Sequence, residues 1–258
     1  MRYILCLSYD GSAFCGWQIQ PSSPSVQQCL EEALGKLCGG PVAITGAGRT
    51  DTGVHAADYV CHFDLTGSLP FEASDFCYKL NAILPRGIVV REVLPAADDF
   101  HARFDAVQRS YTYFIHRKKD PFVAAYSWQC GYPDLDFDAM NEACQYLLGT
   151  HDFSCFEKVG GANKTSICTI TEAFWKPYTP SLYSVFSSEA KESDYWYFRV
   201  SADRFLRNMV RAIVGTLIEV GRGKHQPEWV AELIATGTRG DAGESVPGHA
   251  LFLSKIKY

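Results

Sequence analysis

Asp51 and Arg49 stand two residues apart in Gly46-Ala47-Gly48-Arg49-Thr50-Asp51-Thr52-Gly53-Val54-His55-Ala56, a stretch with three glycines between two apolar segments, Val42–Thr45 and Ala57–Asp64. Glycine adopts backbone geometries that other residues avoid and lets a ligand approach closely. A loop of this kind that also carries a carboxylate and a guanidinium has the composition of a site held between strands. A cation nearby favours the charged carboxylate, which equips Asp51 to act as nucleophile or base. The bland alternative is a turn between two strands. Two phosphate-binding motifs are excluded. Asp51 occupies the position of the third glycine in Gly-x-Gly-x-x-Gly and a strand-like segment follows, and there is no Gly-Lys-Ser/Thr for a Walker loop. Asp51 and His55 could suggest a metal pair, but no third ligand lies close in sequence, so no metal is expected.

The elements that must position this loop follow from hydrophobic period. At 258 residues the chain is near the upper limit for one core, and two domains are expected, with the boundary placed at 1–100 and 101–258. Apolar content of 47% is that of a globular protein. No run of about 18 apolar residues is present and the N-terminus enters a strand pattern at once, so a soluble, cytoplasmic protein without a membrane partner is expected. The ten cysteines include no Cys-x-x-Cys pair and read as reduced, mostly buried thiols.

Arg2–Tyr9 alternates as a strand. Ser25-x-x-Gln28 opens a helix as a capping box, with Val26, Leu30, Ala33, Leu34 and Leu37 on its apolar face and Gly39-Gly40 at its end. Strands are expected over Val42–Thr45, Ala57–Leu65 and Gly87–Val93, and a helix over residues 71–82, giving β-α-β-β-α-β. The order repeats. Strands are expected at Arg109–His116, Thr169–Trp175, Asp194–Ser201 and Ala250–Lys257, with Leu182–Ser187 a further candidate. Helices are expected at Asp136–Leu148 and Phe205–Val220, and one more from Pro227. This is an α+β chain of two ferredoxin-like halves, a topology shared with RNA-recognition domains. Two such sheets side by side would leave a cleft between them.

The net charge of −5 argues against a polyanionic partner, but the distribution does not. Arg204, Arg207, Arg211, Arg222 and Lys224 face one acid, Glu219, within 204–224. His101, Arg103, Arg109, His116, Arg117, Lys118 and Lys119 face Asp105 alone within 101–119.

Together with GAGRTDTGVHA, the stretches FHARFDAVQRSYTYFI (Phe100–Ile115) and FLRNMVRAIVGTLIEVGRG (Phe205–Gly223) resemble the tRNA pseudouridine synthase A family. YDGSAFCGWQ near the start, LNAILP at Leu80–Pro85, GTHDFSCF at Gly149–Phe156 and LFLSKIKY at the end extend the resemblance over the whole chain. It implies the pseudouridine synthase fold and isomerisation of uridine in the tRNA anticodon stem-loop at positions 38 to 40, without metal or cofactor, by a homodimer. It also implies that Asp51 is the catalytic carboxylate and that Arg211 pairs with it. Arg49 would serve as the loop arginine, Tyr111 would act over the uracil and Leu251 would line its other side. Arg103, Arg109, Lys118, Lys119 and Arg207 are the candidate contacts to tRNA. Cys168 stands where the family commonly has an arginine, and Ala250 where a glycine usually precedes the leucine. The competing functions are a tandem RNA-recognition module that binds without chemistry and a metal-dependent hydrolase using Asp51 and His55.

Overall fold

The computed structural model describes residues 1–21, 23–158, 160, 164–186 and 192–258. In chain order the strands are β1 (Arg2–Tyr9), β2 (Ile44–Gly46), β3 (His55–Asp64), β4 (Ile88–Ala96), β5 (Gln108–His116), β6 (Trp128–Gln129), β7 (Gly149–Asp152), β8 (Ile167–Pro177), β9 (Tyr195–Ala202) and β10 (Leu251–Lys257). The helices are α1 (Val26–Cys38), α2 (Ala73–Ile83), α3 (Phe137–Gln145), α4 (Met209–Gly221) and α5 (Trp229–Thr236). No helix among the described residues is long and apolar enough to cross a membrane. The chain divides into two units, Met1–Gln108 with Phe252–Tyr258, and Arg109–Leu251.

In the first unit β1 buries Tyr3, Leu5, Leu7 and Tyr9 on one face and pairs antiparallel with both β3 and β4. β2 pairs antiparallel with β3 at Ile44–Gly46, so β4-β1-β3-β2 is the ferredoxin-like order expected from the β-α-β-β-α-β pattern. Phe252 and Leu253 of β10 lie parallel beside His55 and Ala56 of the same strand. Residues 101–108 stay with this unit, beyond the expected boundary at residue 100. The Ala102 amide donates to His62 Nδ1 (3.1 Å), the Tyr258 hydroxyl to the Ala102 carbonyl (2.7 Å) and the Val107 amide to the Lys257 carbonyl (2.8 Å).

Local signals explain α1. Ser25 Oγ accepts from the Gln28 amide at 3.2 Å, and Val26, Leu30, Ala33 and Leu34 are buried at helical spacing. Each fully buried leucine there contributes about 1.5–3 kcal/mol. Only half of the expected box forms, because the Gln28 side chain donates through Nε2 to Glu32 Oε1 (2.9 Å). In α2, Asn81 holds β4 through paired bonds, its Nδ2 donating to the Val90 carbonyl and its Oδ1 accepting the Val90 amide, both 2.8 Å.

The second unit is built on β5-β9-β8-β7, all antiparallel, with β6 parallel to β5. α3 starts at Asp136, whose side chain caps the Ala139 amide (2.9 Å). Its Asn141 repeats the device of Asn81 on Trp175, accepting its amide at 2.7 Å and donating to its carbonyl at 3.2 Å. α4 is buried on every side except at Arg211 and Glu219, as expected for a helix that is apolar almost all round.

Other local readings change. α4 begins at Met209 rather than Phe205, because Asn208 is left-handed (φ 65°) and breaks the apolar run. The candidate strand Leu182–Ser187 is a 3-10 turn over Ser181–Ser184, with Ser187 outside the described residues. The short polar strands β6 and β7 carry too little apolar alternation to be legible. β3 begins at His55, which the loop reading had placed outside it. All ten cysteines are free thiols, five buried and five half-buried.

Candidate active site

The Gly46–Ala56 loop is tied down along its length. The Ala47 amide donates to the Val60 carbonyl (2.9 Å), and the Tyr59 hydroxyl both donates to the Gly48 carbonyl and accepts the Gly48 amide. Thr50 is buried, its hydroxyl 2.8 Å from that of Tyr9 and its carbonyl accepting the Trp17 amide at 3.2 Å. The Asp51 carbonyl accepts the Val54 amide (3.1 Å), closing a turn. Beneath these bonds lies an aromatic floor, Trp17 stacked on Tyr59 at 4.2 Å with Tyr9 edge-on to Tyr59 at 5.5 Å.

Gly16 is the point of closest approach. Its φ is +85°, and a Cβ there would fall 2.3 Å from the Thr50 carbonyl oxygen. The loop that follows β1 and the loop before β3 are therefore in backbone contact, which is why both are glycine-bearing. Asp51 is left half-exposed on an anchored turn.

Arg49 is exposed, and no ion pair among the described residues involves it. Arg49 and Asp51, two residues apart, do not form an ion pair with each other. His55 is 1% exposed, so it does not offer itself as a ligand. Its Nδ1 accepts the Gly11 amide at 3.0 Å and its ring stacks on Phe252 at 4.5 Å. Among the described residues no group of three His, Cys, Asp or Glu side chains is placed to hold a metal ion.

In the second unit Tyr111 is half-buried, its ring edge-on to Phe205 at 5.0 Å and 84°. Arg211 is half-buried too, with Nε donating to the Val246 carbonyl at 2.7 Å and its carbonyl accepting the Val246 amide at 3.2 Å. The next carbonyl, that of Pro247, accepts from the fully buried Tyr113 hydroxyl (3.0 Å). Burial raises the Tyr113 phenol well above its usual range, so it stays a neutral donor. The segment that carries Val246 and Pro247 can lie on α4 because Gly215 has no side chain: a Cβ there would fall 1.8 Å from the Glu244 carbonyl oxygen. The Gly243 amide also donates to Thr216 Oγ1 at 2.9 Å. This packing leads the chain through a 3-10 turn, Gly248–Ala250, into Leu251, which is buried. Tyr113, Phe205, Trp17 and Gly16 were not singled out from sequence. Only the alternation of RSYTYFIH and the glycine of YDGSAFCGWQ hinted at them.

The candidate tRNA contacts divide. Arg103, Lys119 and Arg207 are exposed. Lys118, 70% exposed, is already paired with Asp194 Oδ2 at 2.9 Å. Arg109 donates to the Asp203 carbonyl (2.8 Å), while Arg222 and Lys224 share Glu219 at 2.8 and 2.6 Å. Cys168, at the common arginine position, is fully buried, and its thiol is pushed up to about 12 by burial.

A family model described as tRNA pseudouridine synthase matches residues 5–105 and 143–258. The chain belongs to the tRNA pseudouridine synthase family. Family members are isomerases, and relatives curated as tRNA pseudouridine synthase A align along the whole chain. That of Porphyromonas gingivalis is 44% identical over 257 residues, covering 100% of this chain and 97% of its own. That of Parabacteroides distasonis is 46% identical over 260 residues, covering 100% and 96%. That of Bacteroides fragilis is 45% identical over 258 residues, covering 100% and 96%.

Proposed function

We propose that the protein isomerises uridine to pseudouridine in the anticodon stem and loop of tRNA, at positions 38, 39 and 40, with Asp51 as the catalytic carboxylate. The observation that carries this is the half-exposed Asp51 on a turn whose backbone is fixed on both sides, by Thr50 and by Val54. Replacing an N1–C1′ bond by a C5–C1′ bond transfers no electrons to or from an external group. It needs a carboxylate able to attack or to take a proton, and a base withdrawn from its stack into a pocket.

Arg211 is the second charged group of the reaction, its guanidinium held by the bond from Nε to the Val246 carbonyl. Tyr111 acts over the uracil, with its ring angle set by Phe205, and Leu251 lines the other side of the base. Arg49 contacts the RNA rather than Asp51, as its exposure allows. Arg103, Lys119 and Arg207 supply backbone contacts, with Lys118 and Arg109 contributing less because they already have partners. The working form is a homodimer, without metal or cofactor, in the cytoplasm.

The test is incubation of the purified protein with an unmodified tRNA transcript, followed by mapping of pseudouridine. Formation at any of positions 38 to 40 is the expected result. Binding without any pseudouridine would favour the reading of an RNA-recognition module without chemistry.

A further inference from the structure

The second unit carries a cleft of about 390 Å³ of whose lining residues the reaction above uses only Lys119. His116, Ser127, Trp128, Gln129 and His249 line it, with Lys119 and Asp120 at one side and Ala124 in the wall. His116 is 1% exposed. Its Nδ1 is bonded to Ser127 Oγ at 3.0 Å, and its other ring nitrogen, Nε2, has no hydrogen-bond partner among the described residues. A ring nitrogen left open at the wall of a cavity is a position for a ligand atom. Burial also holds His116 below its usual pKa, so it presents one donor or acceptor rather than a charge.

The carboxylate on the wall, Asp120, keeps its charge but is 4% exposed, with its oxygens held by protein donors. Asp120 accepts the Tyr183 and Tyr195 hydroxyls, both at 2.7 Å, and the Phe122 amide at 2.8 Å. What remains open is a half-buried indole, a neutral imidazole, the exposed amide of Gln129 and the exposed ammonium of Lys119. Single-stranded nucleic acid is held by this combination: an aromatic face for the base, neutral groups for its edge and a cation for the phosphate. A simple anion would call for more positive charge than one lysine.

We propose that this cleft is a nucleotide subsite that receives an unstacked base of the RNA substrate other than the uridine being isomerised. The inference rests on the reading of the protein as an RNA-modifying enzyme. The base lies on Trp128, its edge meets His116 and Gln129, and its phosphate meets Lys119.

The test uses the full chain with ¹⁵N-labelled histidine, titrated with each of the four nucleoside 5′-monophosphates and, separately, with inorganic phosphate. At least one nucleotide is expected to shift the His116 and His249 ring signals while phosphate leaves them in place. Ala124→Trp fills the cleft from an exposed position. It is expected to abolish those shifts and weaken binding of an unmodified tRNA transcript by about 5- to 150-fold, the range of one lost base stack, with kcat at saturating tRNA unchanged. Gln129→Ala, also at an exposed position, is expected to weaken binding to a smaller extent and guards against misfolding of the tryptophan variant. The proposal is overturned if no nucleotide shifts the signals, if phosphate alone reproduces the shifts, or if both variants bind tRNA as the wild type does. Pseudouridine formation by the wild type on the same transcript, measured in parallel, separates failure of this inference from failure of the proposed activity.

Discussion

Replacing Gly16 by alanine perturbs the Asp51 loop without touching any group proposed to act on the substrate. The new Cβ would lie 2.3 Å from the Thr50 carbonyl oxygen and 3.2 Å from the Asp51 carbonyl carbon, at a φ of +85°. A left-handed alanine costs about 1–2 kcal/mol. Relief of the contact requires the Thr50 carbonyl to retreat by roughly 1 Å toward ordinary van der Waals separation. That movement also strains the Trp17 amide bond to the same oxygen, 3.2 Å long, a further loss of about 1 kcal/mol. The sum is a destabilisation of about 2–3 kcal/mol, which leaves a folded protein. A displacement of about 1 Å at a reacting group lowers the rate by roughly 10²-fold. Gly48→Ala is the matched control in the same loop, because a Cβ there meets nothing within 4 Å and the residue has no positive φ. Formation of the C5–C1′ bond displaces the hydrogen of C5, so release of tritium from tRNA labelled at uridine C5 reports kcat directly. Gly16→Ala is expected to lose kcat about 10²-fold with tRNA affinity retained, and Gly48→Ala to keep near wild-type turnover. Equal activity of the two variants would refute the argument that this contact positions Asp51.

Tyr111→Phe keeps the ring against Phe205 and removes the hydroxyl. Equilibrium binding of tRNA should be unchanged and turnover should fall by about 10²–10⁴-fold, whereas wild-type turnover would confine Tyr111 to stacking. Arg211→Lys keeps a positive charge but removes the Nε donor to the Val246 carbonyl. Urea unfolding should show a loss of about 1–3 kcal/mol, together with reduced kcat, and an unchanged midpoint would contradict the anchoring role of that bond. Asp120 has its pKa lowered, burial being outweighed by the hydroxyls of Tyr183 and Tyr195 and the Phe122 amide. A lowered folded-state value means that its stabilisation is present above the unfolded carboxylate pKa and is lost as pH falls through the folded one. Asp120→Asn should therefore melt lower than wild type at pH 7, with the gap closing below about pH 4; a gap independent of pH would assign the effect to packing alone.

The legible parts of the fold are those where two local signals agree. Ser25 and the spacing of Val26, Leu30 and Leu34 point to the same helix start and the same buried face. The start of α4 is not legible because Phe205 and Leu206 prolong its apolar pattern, while the left-handed Asn208 that breaks it carries only a weak signal in sequence. The motif around Asp51 was legible as a loop between strands, but its internal geometry was not. Thr50 is fixed by Tyr9 and Trp17, residues more than thirty positions earlier, which the spacing of Arg49 and Asp51 could not disclose. The same holds for Arg211, whose Nε partner is a carbonyl delivered by a segment that reaches α4 through the missing side chain of Gly215. Lys118 read as free for phosphate until Asp194, far along the chain, was found beside it.

The central claim is that one carboxylate, Asp51, performs the isomerisation. The direct measurement is pseudouridine formation by Asp51→Asn on an unmodified tRNA transcript, alongside equilibrium binding of the same RNA. The side chain is half-exposed on an anchored turn, so the variant should fold and bind tRNA as the wild type does. It should form no pseudouridine at positions 38 to 40. Turnover by a clean Asp51→Asn preparation would contradict the assignment and move the chemistry to another residue.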